Sequence, residues 1–178
     1  MAQSLEAALR QMPTVDRAEA LIVLSGLQDP LETLGYTVVL DRTSASLRIT
    51  RPAVDPASVV IIGLNASPTE GLHLVALDAP YPFTIVGGRR DNVVEAIGII
   101  NNYLPAGVLV IDSDDVIHAV WTIPSDAAES LGTPSTVEAI AMFDQLQQHY
   151  GDYVEGACTG AIPANSLDDL IEAAGDGY

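Results

Sequence analysis

The stretch IINNYLPAGVLVIDSDDVIHAVWTIP, residues 99–124, decides the fold. Val108 to Ile111 and Val116 to Ile123 are β-rich runs, and Asp112-Ser113-Asp114-Asp115 lies between them. That interval has hairpin-loop length, and Asp and Ser are turn formers. A hairpin forces its strands to be antiparallel, because a parallel pair needs a crossover of a dozen residues or more. The second run alternates: Ile117, Ala119 and Trp121 on one face, Val116, His118, Val120 and Thr122 on the other. The clustered acids also invite comparison with a calcium loop. Such a loop needs glycine at position six and glutamate at position twelve, where this chain has Ile117 and Ile123. The acids therefore read as an exposed turn.

On the N-terminal side of this hairpin, Gly87-Gly88-Arg89-Arg90 feeds a helix whose apolar stripe is Val93, Val94, Ile97 and Ile100. Asn92 and Glu95 have capping-box spacing there, and Pro105 closes the helix. Further back, four β-rich runs (Tyr36 to Leu40, Leu47 to Thr50, Val59 to Leu64, Leu72 to Leu77) are separated by turn-rich connections. Phe83 to Val86 extends the last of them beyond Pro80 and Pro82. A helix from Thr14 or Asp16 precedes them. Asp29-Pro30 predicts a break in it, and Gly35 its end. A short helix over Ser4 to Gln11 stands ahead of Pro13.

On the C-terminal side, Thr133-Pro134 opens the longest helix, with Val137, Ile140, Phe143, Leu146, Tyr150 and Val154 at helical spacing. A short amphipathic helix follows over Ser166 to Ala174. The order, α-β-β-β(-β)-α-β-β-α with hairpins in place of βαβ units, predicts an α+β fold. Its form is a two-layer α/β sandwich, an antiparallel sheet with helices on one face. We divide the chain into an N-terminal extension at 1–13, one α+β domain at 14–158, and an acidic C-terminal tail at 159–178.

Charge narrows the function classes. The net charge is −17, there is no lysine, and all seven arginines lie at or before Arg90. The half beyond residue 90 is purely anionic, which excludes nucleic acid and anionic membranes as partners and favours a basic protein segment. No apolar run approaches the roughly 20 residues of a membrane helix. The opening MAQSLEAALRQM lacks signal-peptide features. One cysteine, Cys158, allows no intrachain disulfide, which fits a cytoplasmic protein.

Candidate chemistry is sparse. His73, His118 and His149 have no metal-ligand spacing, although His73 and His118 become neighbours, beside an Asp, if their strands pair suitably. We name no metal, no cofactor and no catalytic residue. Cys158 has no clear base, GxSxG and SxxK are absent, and a catalytic lysine is impossible. Gly87, Gly88, Arg89 and Arg90 form the best anion-site candidate, with free backbone, two cations and a helix N-terminus. Trp121 reads as core and rim and joins the partner-contact candidates. So do Leu167, Leu170 and Ile171, an apolar stripe of the kind that docks in grooves.

Residues 92 to about 153 resemble the YbjN family. The likeness rests on the Asn-rich helix end Ile99-Ile100-Asn101-Asn102, the step Leu104-Pro105, and the acid-tipped hairpin from Gly107 to Trp121. The exit Ile123-Pro124 and the helix opened by Thr133-Pro134 continue it, and Leu34-Gly35-Tyr36-Thr37-Val38 also suits the family. The family's usual glycine in the hairpin tip is absent. The resemblance implies a type III secretion chaperone-like fold, a homodimer, no enzyme chemistry, and a protein-binding or sensory-transduction regulatory role. The expectation is a non-enzymatic module that binds a partner segment on an acidic surface. The alternative is a sensor of small anions built on Gly87 to Arg90.

Overall fold

The computed structural model describes residues 16–50, 59–66, 72–126 and 134–175. The expected helix over Ser4 to Gln11, the caps at Thr14 and Thr133, and the loops at 51–58 and 67–71 lie outside them. The elements in chain order are α1 (Arg17–Thr33), β1 (Thr37–Asp41), β2 (Ser46–Thr50), β3 (Val59–Ala66), β4 (Leu72–Pro80), α2 (Arg90–Tyr103), β5 (Val108–Ile111), β6 (Ile117–Asp126), α3 (Pro134–Thr159), a 3₁₀ turn (Ala164–Ser166) and α4 (Leu167–Ala174). The fold is α+β. All six strands form one antiparallel sheet in the order β1-β2-β3-β4-β6-β5.

Strand alternation gives the sheet two unlike faces. Val38, Leu47, Leu77, Ile117 and Ala119 join the core with α1, α2 and α3. Val39, Arg48, Asp78, Val120 and Val108 stand in one row on the opposite face, matched across strands by the register. Ala76 and Val120 are nearly buried on that second face yet stand apart from the main core.

Helix α1 begins at Asp16, whose carboxylate accepts from the Ala18 amide at 2.9 Å, an N-cap. It ends in a Schellman turn. Gly35, at φ +90°, donates to Glu32, and Tyr36 donates to Leu31. The expected break at Asp29-Pro30 is absent, and α1 runs through Pro30. Leu27 and Leu31, both fully buried, anchor the turns on either side. The carbonyl of Gly26, which loses its donor to proline, sits on the exposed side, open to solvent. Burying each of these leucines stabilises by about 1.5–3 kcal/mol, enough to carry one missing hydrogen bond.

Two further expectations change. Phe83 to Val86 is not a strand: its Val86 amide instead donates to the Cys158 carbonyl at 3.2 Å and ties the loop to the end of α3. Asn92 is not a cap, since α2 starts at Arg90. Its side chain bridges two distant segments, donating to the Ala157 carbonyl at 3.2 Å and accepting from the Ala164 amide at 2.9 Å. The capping pattern was local; the tertiary partners of that amide outcompete it.

Candidate functional site

His118 lies on the second face of the sheet, near the β5–β6 turn. The register sets it opposite Pro80 on β4, with Asp78 as its diagonal neighbour on the same face. His118 Nδ1 is 2.8 Å from Asp78 Oδ1, a hydrogen bond. Its Nε2 lies 3.4 Å from Asp112 Oδ2, an ion-pair distance whose angle makes no hydrogen bond. The side chains of His118, Asp78 and Asp112 are 16%, 25% and 19% exposed. The hydrogen bond to Asp78 raises the imidazole pKa, the charges of Asp78 and Asp112 add to this, and burial opposes them. The ring is therefore biased towards imidazolium, with a carboxylate beside each nitrogen.

Asp112 itself is shaped by the turn. Burial pushes its carboxyl up, but amide donors and the His118 charge overcome this and leave it below its usual value. Those donors are Asp114 N at 2.8 Å and Val116 N at 2.9 Å. The turn closes through the Asp112 amide on the Val116 carbonyl at 3.0 Å. Asp115 takes φ +62°, the left-handed position a glycine would favour, and its carboxylate pairs with Arg90. The acidic tip is a turn, as the sequence indicates, and one of its acids also faces the histidine.

The pairing of β4 with β6 does bring two histidine-bearing strands together, but not the two histidines. His73 pairs in register with Ser125, while His118 pairs with Pro80. They stand seven positions apart, roughly 23 Å along the strands. The acid expected beside them is present as Asp78, which the sequence reading did not name. Its signal was a single charged residue inside the apolar run LHLVALDAP. Among the described residues no group of three His, Cys, Asp or Glu side chains is placed to hold a metal ion.

The other candidates are put to different uses. Arg90 pairs with Asp115. Arg89 lies against Gly160 just past α3, so close that a Cβ there would overlap its guanidinium. Both cations of the Gly87 to Arg90 loop thus serve contacts within the chain. Trp121 is partly buried on the helix side, 6.5 Å from Phe143 between ring centroids, and belongs to the core surround. Leu167 and Ile171 are fully buried, so they are corrected from a docking stripe to core residues, and only Leu170, 43% exposed, faces solvent. The physical reason is that α4 packs on α2, held also by Tyr103 Oη donating to Asp168 at 2.6 Å. Cys158 is buried, and burial, with Glu155 nearby, pushes its thiol pKa up, away from nucleophilic thiolate. A surface depression of about 210 Å³ beside Pro105, Met142 and His149 is smaller than the roughly 300–1,000 Å³ of small-molecule sites.

No helix among the described residues is long and apolar enough to cross a membrane. No family model, no curated protein and no solved structure matches the chain.

Proposed function

We propose that this chain is a non-enzymatic protein-binding module, of the chaperone-like or regulatory kind that a likeness to YbjN proteins implies. It holds a basic segment of a partner on the acidic outer surface of its helical layer. The observation that carries this reading is the absence of any Lys or Arg beyond Arg90, combined with where the acids lie. Glu155 on α3, Asp168, Asp169 and Glu172 on α4, and Glu95 on α2 are exposed, and Val94 and Leu170 are exposed apolar residues on the same helices. Such a surface attracts Lys- and Arg-bearing segments over distance and offers a few apolar anchors once they arrive. The groups capable of chemistry support a binding role in the same direction: His118 is held between two carboxylates, and the Cys158 thiol is buried.

The test is calorimetric titration of the chain with an array of Arg- and Lys-containing peptides at low and high salt. Binding should fall as salt rises, because charge attraction between exposed groups is screened within about 10 Å at 0.1 M. The triple variant E95Q/E155Q/E172Q, at exposed acids outside the Tyr103–Asp168 contact, should weaken it without changing the melting temperature. Binding that ignores both salt and this variant would sink the proposal.

A further inference from the structure

We propose that the outer edge of β1 pairs with β1 of a second copy of this chain, antiparallel about Val39, to make one continuous sheet. This is independent of the partner-binding reading, which concerns the helical layer.

The two edges of the sheet are treated differently. At the β5 edge, Leu109 turns its amide and carbonyl outward, and Asn101 from α2 satisfies both. Asn101 Oδ1 accepts from Leu109 N at 2.7 Å, and Asn101 Nδ2 donates to Leu109 O at 3.0 Å. A side-chain amide presents the same donor and acceptor as a backbone peptide, so Asn101 closes that edge as a neighbouring strand would. At the β1 edge, among the described residues, β1 pairs only with β2. Its sequence, Thr-Val-Val-Leu-Asp, has no lysine, no proline and no bulge over five paired residues. These are three of the usual devices that prevent edge pairing, and β1 has none of the three.

The strand is also self-complementary. A two-fold axis at Val39 sets Val39 against Val39, and Val38 against Leu40 of the other copy. Val39 is 56% exposed on the second face, while Val38 and Leu40 point to the helix side, where Leu40 is only partly buried. Apolar meets apolar on both faces of the joined sheet. A five-residue strand pair falls short of the about 1,200 Å² of a stable interface, so the flanking helix must contribute.

That helix is α1, and its charges are placed for a partner. It runs antiparallel to β1, with Arg17 Nε donating to the Arg42 carbonyl at 3.1 Å at one end and the Gly35 turn at the other. Arg17 sits in the first turn, where a cation opposes its own helix dipole. The last turns carry Asp29 and Glu32 and no cation. Within one chain the acidic C-terminal end is unfavourable, while Asp16 and Glu19 offset Arg17 at the other end. The two-fold pairing relieves the C-terminal end, because Arg42 then falls opposite Tyr36 of the second copy, beside the acidic end of that copy's α1. Each α1 C-terminus thereby gains the Arg17 and Arg42 of the other copy. On a chain of net charge −17, the region holding Arg17, Arg42 and Arg48 is where like-charge repulsion between copies is weakest.

Sedimentation equilibrium of the full chain and its variants tests this. The wild type should sediment at twice 18.7 kDa. Val39→Lys, at an exposed site, should halve that mass with unchanged circular dichroism. Arg17→Glu should weaken the dimer, and R17E/E32R should restore it. A wild type at 18.7 kDa at every concentration would overturn the proposal, as would a V39K chain that stays dimeric while folded. Failure of R17E/E32R to regain the mass lost in R17E would overturn the antiparallel register.

Discussion

Asp78→Asn tests the histidine cluster most directly. The substitution keeps the shape of the side chain and removes the charge 2.8 Å from His118 Nδ1. A hydrogen bond to a charged group contributes about 1.5–3 kcal/mol. The pair is 16% and 25% exposed, so solvent screens part of this; a loss of about 2 kcal/mol follows. For a chain of this size that is a drop of roughly 4–8 °C in melting temperature. The loss should depend on pH. The folded-state pKa of His118 is raised above its ordinary 6.5. The stabilisation from the charged pair is therefore fully present below pH 6.5 and is lost as pH rises through the raised folded value. Urea unfolding of wild type and D78N at pH 6 and at pH 9 reads this out. The stability difference should be largest at pH 6 and shrink at pH 9, and in His118→Gln, which cannot titrate, replacing Asp78 should give no such pH dependence. A difference of the same size at both pH values would refute the account, as would a D78N protein as stable as wild type at pH 6.

Three further outcomes follow. Asn101→Ala leaves the outward amide and carbonyl of the buried Leu109 without partners, and should destabilise by about 2–4 kcal/mol in chemical unfolding, with increased aggregation because the β5 edge is reopened. Gly107→Ala should cost about 2 kcal/mol. The backbone there has φ +74°, and the added Cβ would lie 2.9 Å from the Val120 carbonyl oxygen, which the strand cannot move aside cheaply. The phenol of Tyr103 should titrate at about 12, raised first by its hydrogen bond to Asp168, and Asp168→Asn should return it towards 10, followed by absorbance near 295 nm.

How much of this was legible beforehand varies with the range of the interaction involved. The hairpin at residues 99–124 set the antiparallel character of the sheet, because a four-residue acidic interval between alternating β-rich runs has one local solution. The Asp16 cap, the Gly35 stop and the long stripe from Ile140 to Val154 were equally local, and their apolar members are buried in the structure. Wherever a residue's role was set by something far along the chain, the local pattern misled. Asn92 has cap spacing but bonds to Ala157 and Ala164, 65 and 72 residues away. Leu167 and Ile171 form an amphipathic stripe of the same periodicity whether it docks on a partner or on α2. Pro30 predicts a break by its chemistry, and the packing of Leu27 and Leu31 overrides it.

The sequence by itself determined the α+β character, the antiparallel sheet and the one-sided charge, since each depends on neighbours a few residues apart or on composition alone. Only the tertiary structure decided that Asp78 meets His118, that Asn101 closes one edge of the sheet, and that β1 forms the other edge. Those facts depend on strand register and on which helix lies beside which edge. Both are fixed by the packing of the whole core, and no short window of residues contains that information.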